Sequence, residues 1–242
     1  MVGMGLFAWL DTTCLEAVNA FVGRSPAFDA AVRVLADWNF IRSFWLAGFL
    51  IWAWFALVER DVGAKIVSGL MGLIAATALS RLLQLIVPLH ARPFNYVNEL
   101  ALNVPPGLDV HWGYASSFPS DTATLHFALA AIILSLSRTW GVFAFLWVSI
   151  VIALPRVYIL YHWPSDILAG LLLGVSFVAA AQHYRASIPT VARILDYETL
   201  KPQLFYPVFF VLLYQIVDSF GAVEVALHEV SSLAKLFAAR TI

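Results

Sequence analysis

Hydrophobic residues fall into long runs that are separated by short polar connections. Five runs approach the roughly 20 apolar residues that a membrane-spanning helix needs. They cover residues 40–58, 66–89, 119–136, 140–161 and 164–181, and a sixth, weaker run covers residues 204–220. The pattern predicts an all-α membrane protein with about six transmembrane helices in a bundle.

The two ends of the chain have a different pattern. In the first forty residues, Asp11, Glu16 and Asn19 interrupt the apolar positions. The remaining apolar residues lie on one stripe, formed by Leu6, Phe7, Leu10, Leu15, Val18 and Phe21. Near the other end, one helix face holds Val223, Leu227, Val230, Leu233 and Leu236, and the opposite face holds Glu224, His228, Lys235 and Arg240. Both ends therefore predict amphipathic interfacial helices.

These patterns divide the chain into three parts. Residues 1–38 form an N-terminal interfacial region, and residues 39–182 form the membrane core. Residues 183–242 hold a polar connection, one more transmembrane helix and the C-terminal amphipathic helix. No internal repeat or low-complexity segment suggests a further domain.

Composition narrows the class of protein. The chain of 242 residues is 62% hydrophobic and 12% charged, whereas soluble domains carry about 25% charged residues. A net charge of -1 and 14 scattered Lys and Arg residues argue against nucleic acid as a partner.

The single cysteine, Cys14, excludes an internal disulfide and leaves the redox compartment open. No Cys/His cluster has zinc-ligand spacing, so we expect no metal and no other cofactor. The start lacks the basic region of a signal peptide, so we expect the mature chain to begin at Met1.

The connections predict an orientation in the membrane. Residues 90–117 form a long polar and aromatic loop, which must face water or headgroups. Its histidines and aromatic residues are His90, Tyr96, His111, Trp112 and Tyr114, and an aromatic belt is favoured for them over substrate recognition. Connections on the other side hold Arg60, Lys65, Arg138, Arg185, Arg193 and Lys201. By the positive-inside rule that side is cytoplasmic, although Arg24, Arg33 and Arg42 on the loop side weaken the bias.

Polar residues beside the predicted spans converge on the loop side. They are Arg81, Arg92, Ser120, Asp121, Thr122, Arg156, His162 and Asp166. Charges near a membrane interior are costly and tend to be functional. Arginine suits bidentate binding of phosphate, and the helix starts within SSFPSDT and HWPSD supply free backbone N–H groups. The pattern predicts a pocket for an oxyanion.

The two helix starts also place a nucleophile. Proline fits the first position of a helix, so Ser120 and Asp121 fall in the first turn of one helix and Asp166 in the first turn of another. From there Asp166 can reach back to His162. A carboxylate that keeps one imidazole nitrogen protonated leaves the other nitrogen free to attack.

The segments PRVYILYHWPSDILAG, PSDT and HARP resemble the three signatures of the type 2 phosphatidic acid phosphatases, membrane relatives of the vanadium haloperoxidases. The resemblance covers residues 62–181, and its third segment is the most specific. It implies that Arg92 and Arg156 bind phosphate and that Ser120 donates to it. It also implies that His162 forms a phosphohistidine and that Asp166 orients His162.

Three positions depart from the family pattern. The family has a general-acid histidine where this chain has Thr122, a lysine where it has Leu85, and a serine where it has Pro155. Arg81, one helical turn from Leu85, either reaches the phosphate or holds a carbonyl or headgroup. His126, one turn after Thr122, either replaces the acid or is satisfied by a neighbouring helix, and the second reading is favoured. Asp121 in a first turn is stabilised as an anion, so it makes a better anchor than proton donor.

The sequence thus predicts a bacterial inner-membrane lipid phosphatase with an extracytoplasmic site. Its substrate would be an isoprenoid or glycerolipid phosphate or diphosphate, with the diphosphate preferred because the acid is missing. The alternatives are a lipid phosphotransferase, in which an acceptor hydroxyl replaces water, and a non-catalytic phospholipid-binding or transport relative.

Overall fold

The computed structural model describes residues 6–57, 59–88, 90–107 and 116–221. Within these ranges the chain forms helices and no strand, which confirms the all-α prediction. The helices are α1 (Leu6–Asn19), α2 (Pro26–Asp37), α3 (Asn39–Ala56), α4 (Arg60–Ile86), α5 (Asp121–Leu136), α6 (Arg138–Trp147), α7 (Leu154–Tyr158), α8 (Pro164–His183), α9 (Pro189–Leu200) and α10 (Pro202–Val217). A π-helical segment, Val148–Ala153, joins α6 to α7.

Each of the six predicted runs forms a helix. Among the described residues, three helical stretches are long and apolar enough to cross a membrane, namely Arg60–Ile86, Arg138–Tyr158 and Pro164–His183. Helices α2 and α3 together make a fourth candidate, bent by 52° at the break between them. Helices α5 and α10 are apolar but have only 16 residues each, about 24 Å of helix, against a hydrocarbon layer of about 30 Å.

The predicted interfacial region before residue 39 forms two helices, α1 and α2. Gly23 has a φ of +79°, a conformation that glycine adopts at little cost, and it follows the end of α1. Ser25 then caps α2 by accepting a hydrogen bond from the backbone of Phe28, with Pro26 in the first helical position. The predicted stripe is also split, since Leu15 is buried while Leu10 and Phe21 are exposed.

Two polar residues of α1, Asp11 and Asn19, point into the protein. Asp11 and Asn19 are 8% and 4% exposed. Asp11 accepts hydrogen bonds from the backbone and the hydroxyl of Ser165, at 2.7 and 2.6 Å. Asn19 exchanges hydrogen bonds with Asn103. These residues therefore dock α1 on the core.

Helix α5 is the centre of the bundle. It packs against α3, α4, α6 and α8, and 11 of its 16 residues are buried. Glycines allow α8 to approach it closely. A Cβ atom at Gly170 would collide with the Ser120 carbonyl oxygen, and one at Gly174 would collide with the Thr124 carbonyl oxygen. The two glycines therefore allow a close contact between the helices.

The two ends of the bundle differ in chemistry. At one end, Arg60 pairs with Asp196, and Arg185 pairs with Asp61. The opposite end gathers the start of α3, the end of α4, the starts of α5 and α8, and the end of α7. The candidate site lies there. The predicted C-terminal amphipathic helix and the loop residues His111, Trp112 and Tyr114 lie outside the described residues.

Candidate active site

Asp166 lies in the first turn of α8 and is fully buried. Its Oδ2 accepts a hydrogen bond of 2.8 Å from the backbone N–H of Trp163 and lies 3.5 Å from Nδ1 of His162. Pro164 occupies the first helical position, as the sequence predicts. The carboxylate therefore caps its own helix and faces the imidazole at the same time.

His162 is held on its Nδ1 side. This nitrogen lies 3.1 Å from the Ser117 carbonyl oxygen, so a proton on Nδ1 can be donated both to that carbonyl and towards Asp166. Burial, reinforced by the charge of Arg92, lowers the pKa of His162, although the hydrogen bond with Asp166 raises it. Because a carbonyl can only accept, Nδ1 carries the proton of the neutral ring and Nε2 is its unprotonated nitrogen.

A second histidine contacts Asp166. Nδ1 of His90 lies 3.2 Å from the Asp166 Oδ1 and 2.9 Å from the Ser117 hydroxyl. This hydrogen bond with Asp166 raises the pKa of His90 above its ordinary value. The sequence favours an aromatic-belt role for His90 and misses this contact. The available signal for this contact in the sequence is that His90 lies two residues before Arg92.

A polar cavity of about 420 Å³ opens beside His162. Its lining includes Arg33, Asp37, Arg42, Arg81, Arg92, Asp121, Thr122, Arg156, Tyr161, His162 and Asp218. The cavity thus brings together six of the predicted site residues, Arg81, Arg92, Asp121, Thr122, Arg156 and His162. Asp166 lies behind His162, and Ser120 and His126 are not part of the lining.

Arg92 and Arg156 present unused donors. Arg92 donates from Nη1 to the Tyr161 carbonyl at 3.0 Å, and Arg156 donates from Nη2 to the Thr122 hydroxyl at 3.3 Å. The Nε atoms of both arginines are buried and have no hydrogen-bond partner within the described part of the chain. Since buried polar groups are nearly always hydrogen-bonded, these N–H groups indicate a site for an anion.

Arg81 lies at the cavity and holds a backbone carbonyl, which is one of the two roles that its position suggests. It lines the cavity, its Nε lies 3.4 Å from the Asp121 Oδ2, and its Nη2 donates to the Ser219 carbonyl at 3.2 Å. Oδ1 of Asp121 accepts from the backbone N–H of Thr122 at 2.7 Å. Asp121 therefore connects Arg81 to the start of α5, as an anchor would.

The start of α5 differs from the prediction. The helix begins at Asp121, and Ser120 is its cap, with the hydroxyl accepting from the Ala123 backbone N–H. Pro119 thus precedes the cap and is not the first helical residue. Ser80 and Gln84 of α4 both donate to its carbonyl. The Ser120 side chain is fully buried. Its backbone N–H donates to the Asp166 carbonyl at 3.1 Å and holds the starts of α5 and α8 side by side.

His126 has partners on both ring nitrogens. Nδ1 lies 2.7 Å from the Thr122 carbonyl oxygen, and Nε2 lies 2.7 Å from the Ser43 hydroxyl of α3. A carbonyl can only accept, so Nδ1 carries the proton and Nε2 accepts from Ser43. This neutral, fully buried histidine joins α3 to α5.

The sequence reasoning misses two further residues. Arg42 lines the cavity from α3, and Asp11 holds the start of α8 through Ser165. Arg42 is visible in the sequence as a charge inside an apolar run, which is the available signal. Among the residues described, no group of three or more His, Cys, Asp or Glu side chains is placed to hold a metal ion.

The fold and the site together therefore define a class of protein. It is a helical membrane bundle with an arginine-lined anion cavity beside a buried histidine. Residues 65–188 match the model of the PAP2 superfamily, and the chain belongs to this superfamily of phosphatases. No solved structure matches the chain.

Two curated relatives are similar to the chain. "Putative undecaprenyl-diphosphatase YbjG" of Escherichia coli (strain K12) is 32% identical over 174 residues, which cover 72% of this chain and 81% of the relative. "Undecaprenyl-diphosphatase" of Sulfolobus acidocaldarius is 31% identical over 106 residues, which cover 43% of this chain and 48% of the relative. These matches agree with the family to which the three sequence segments point.

Proposed function

We propose that the protein is a membrane lipid phosphatase that cleaves a lipid diphosphate through a phosphohistidine at His162. One observation carries the proposal: His162 is held through Nδ1 at the wall of a cavity that Arg92 and Arg156 also line, and the buried Nε atoms of both arginines have no hydrogen-bond partner among the described residues. A terminal phosphoryl group bound by these arginines would lie against Nε2. Asp121 would act by positioning Arg81, since an ionised carboxylate repels phosphate.

In the first step, Nε2 attacks the terminal phosphorus and an N–P bond forms. The bond from phosphorus to the bridging oxygen breaks, and its electron pair leaves with the lipid monophosphate. Asp166 and the Ser117 carbonyl keep the Nδ1 proton in place and stabilise the positive charge on the ring. The arginines stabilise the charge on the transferring group.

In the second step, water attacks the phosphorus and the N–P bond breaks. His162 leaves as a neutral imidazole, because Nδ1 keeps its proton throughout. Water supplies the fourth oxygen of inorganic phosphate, and its protons pass to that product and to solvent. An acceptor hydroxyl in place of water would make the protein a phosphotransferase.

We propose a polyprenyl diphosphate as the substrate class. Two observations support this choice. The relatives described above are named undecaprenyl-diphosphatases, and Thr122 cannot protonate a leaving group near neutral pH. A lipid phosphate, whose second pKa is about 6, is stable as an anion at that pH. It can therefore depart without the general acid that an alkoxide needs.

We also propose that residues 39–182 form the catalytic core and that the site faces the extracytoplasmic side of a bacterial inner membrane. The ion pairs of Arg60 and Arg185 lie at the end of the bundle opposite the cavity, and basic residues are enriched in cytoplasmic connections. Thiol labelling of single cysteines introduced at Arg138 and Asn103 of a Cys14→Ala form, in intact cells, tests this. Labelling by an impermeant reagent should occur at position 103 alone, and labelling at position 138 alone would reverse the orientation.

The central experiment traps the intermediate. The purified protein is mixed with a polyprenyl diphosphate that carries ³²P in its terminal phosphate, and the reaction is quenched in alkali, in which phosphohistidine persists. The wild type should carry acid-labile label. His162→Ala should carry none and should lose several orders of magnitude in turnover. His183→Ala is the matched control, because His183 is an exposed histidine at the other end of α8, and it should behave like the wild type.

Two results would contradict the proposal. Near-full turnover by a folded His162→Ala form would mean that another group is the nucleophile. If the wild type turns over but carries no acid-labile label when it is quenched during the reaction, direct attack by water on the substrate would be favoured. Chromatography of all phosphorus-containing products in the same reactions separates hydrolysis from transfer to an acceptor.

A further inference from the structure

Arg42 is a buried charge outside the family signatures. It is the fourth residue of α3, outside the matched residues 65–188, and it is only 2% exposed. Arg42 lines the same cavity as Arg156 and His162. Its Nε and Nη1 are buried and without a hydrogen-bond partner in the part of the chain that the structure describes.

Such an arrangement is costly unless an anion completes it. A buried cation that lacks hydrogen bonds costs several kcal/mol or more in general, and the other arginines of the cavity add repulsion. Five arginines line the cavity, Arg33, Arg42, Arg81, Arg92 and Arg156, against three aspartates, Asp37, Asp121 and Asp218. Among the described residues, the lining therefore has an excess of two positive charges, and it suits a ligand with more negative charge than one phosphoryl group held by Arg92 and Arg156.

Contacts with two neighbouring helices hold Arg42 in place. Its carbonyl accepts a hydrogen bond of 3.2 Å from Nε1 of Trp147, the last residue of α6. The next residue, Ser43, donates to His126, and His126 donates to the Thr122 carbonyl. This chain of hydrogen bonds fixes the start of α3 beside Thr122, the position where a general acid is missing.

We propose that Arg42 forms a second phosphate subsite beside Thr122, which binds the departing phosphate of a lipid diphosphate. The inference rests on the proposed function. When the bridging P–O bond breaks, the lipid phosphate gains the electron pair and one unit of negative charge. Arg42 stabilises that charge with N–H donors, so the reaction needs no proton at this position. The chain thereby replaces an acid by a fixed cation.

The test compares two substrates that carry the same lipid chain, farnesyl diphosphate and farnesyl phosphate. Arg42→Met keeps most of the length of the side chain and removes its charge. It should lower kcat/KM for the diphosphate by roughly 10²-fold, as the loss of one transition-state donor does, and should change the monophosphate rate little. Arg156→Met should lower both rates, because both substrates need the first subsite. Arg138→Met, which alters an exposed arginine at the opposite end, should change neither.

Binding gives a readout that is independent of turnover. In a His162→Ala background, Arg42→Met should weaken binding of farnesyl methylenediphosphonate at least about tenfold, since the donors to its second phosphorus are lost, and should leave binding of farnesyl phosphonate unchanged. Arg42→Met should also keep or raise the Tm of the ligand-free protein, because it removes an unpaired buried charge.

If Arg42→Met fails to fold, Arg42→Lys tests the same subsite. It keeps the charge but loses the planar fork, and its loss should be smaller and still selective for the diphosphate.

Equal losses on both farnesyl substrates, or an unchanged diphosphate rate, would overturn the Arg42 subsite. A lowered Tm with an unchanged ratio of the two rates would do the same, since it would make Arg42 a structural residue. If the wild type cleaves neither substrate, the proposed function fails, and the methylenediphosphonate titration still decides whether Arg42 binds a second phosphate.

Discussion

In the proposed mechanism, the two sides of the cavity are built on different principles. On the nucleophile side, the polar groups face groups of opposite polarity within the protein. Asp166 faces His162, His90 and the Trp163 N–H, and Nδ1 of His162 faces the Ser117 carbonyl. On the leaving-group side, Thr122 stands where the family has a histidine, and Arg42 has buried donors without a partner in the described residues.

The difference shows how each side contributes. Such contacts fix the position and the tautomer of a ring that, in the proposed mechanism, attacks in one direction. Donors that are held in place without a partner interact strongly with charge that arrives during the reaction. We therefore propose that contacts within the protein preorganise the nucleophile side and that the substrate completes the leaving-group side.

Among the tests of this comparison, the largest expected effect comes from restoring the family residue on the leaving-group side. Thr122→His should raise the hydrolysis of a lipid monoester by about 10²-fold, because general acids contribute roughly 10²–10⁴-fold. It should change the cleavage of the matching diphosphate far less. Initial rates for farnesyl phosphate and farnesyl diphosphate, in wild type and variant, measure both effects.

Thr122→Ser serves as the control, since it keeps the hydroxyl that accepts from Arg156 and adds no acid. Its ratio of monoester to diphosphate rates should match the wild type. An efficient wild-type monoesterase, or a Thr122→His variant that helps neither substrate, would show that the acid comes from elsewhere. It would also remove the distinction between the two sides of the cavity.

Much of the nucleophile side can be predicted from the sequence alone. The spacing of His162 and Asp166 is local, with a proline at the first position of α8, so helix geometry alone places one carboxylate near the ring. The apolar runs likewise predict the positions of six helices, because each run reports burial or lipid contact directly. The approach of α8 to α5 follows from the small residues Gly170 and Gly174.

The remainder depends on contacts between residues far apart in the chain. Arg42 reaches the cavity only because α3 packs on α5, and His90 reaches Asp166 through a loop without periodicity. Asp11 looks like an interruption of an apolar stripe, yet the interruption is the docking contact with Ser165. A pattern along one helix reports which side is polar, and it cannot report which partner makes that polarity favourable.

A smaller effect should follow from weakening the support of the nucleophile side. Asp11→Ala removes two acceptors from the start of α8, and the loss of a helix cap costs about 1 kcal/mol. We expect a lower Tm and a several-fold lower kcat, with KM little changed, because the substrate does not contact Asp11.

Asp11→Asn is the matched control for this experiment, since its amide oxygen can still accept one of the two hydrogen bonds. It should fall between Asp11→Ala and the wild type in both Tm and kcat. An Asp11→Ala variant with a lower Tm but the wild-type kcat would mean that α1 stabilises the fold without positioning His162.

The smallest expected effect, a shift along the pH axis, separates the groups around His162. The acid limb of kcat/KM reports protonation in the free enzyme, and His162 must be unprotonated to attack. Burial is the main cause that lowers the pKa of His162 below 6.5, with Arg92 lowering it and the hydrogen bond with Asp166 raising it. The acid limb of the wild type should therefore lie below pH 6.5.

Arg92→Gln removes a cation, so the acid limb should move to higher pH. Asp166→Asn removes the anion, so the limb should move to lower pH while the rate falls. Profiles of kcat/KM for farnesyl diphosphate measure both shifts, and two shifts in the same direction would mean that the limb belongs to a group other than His162.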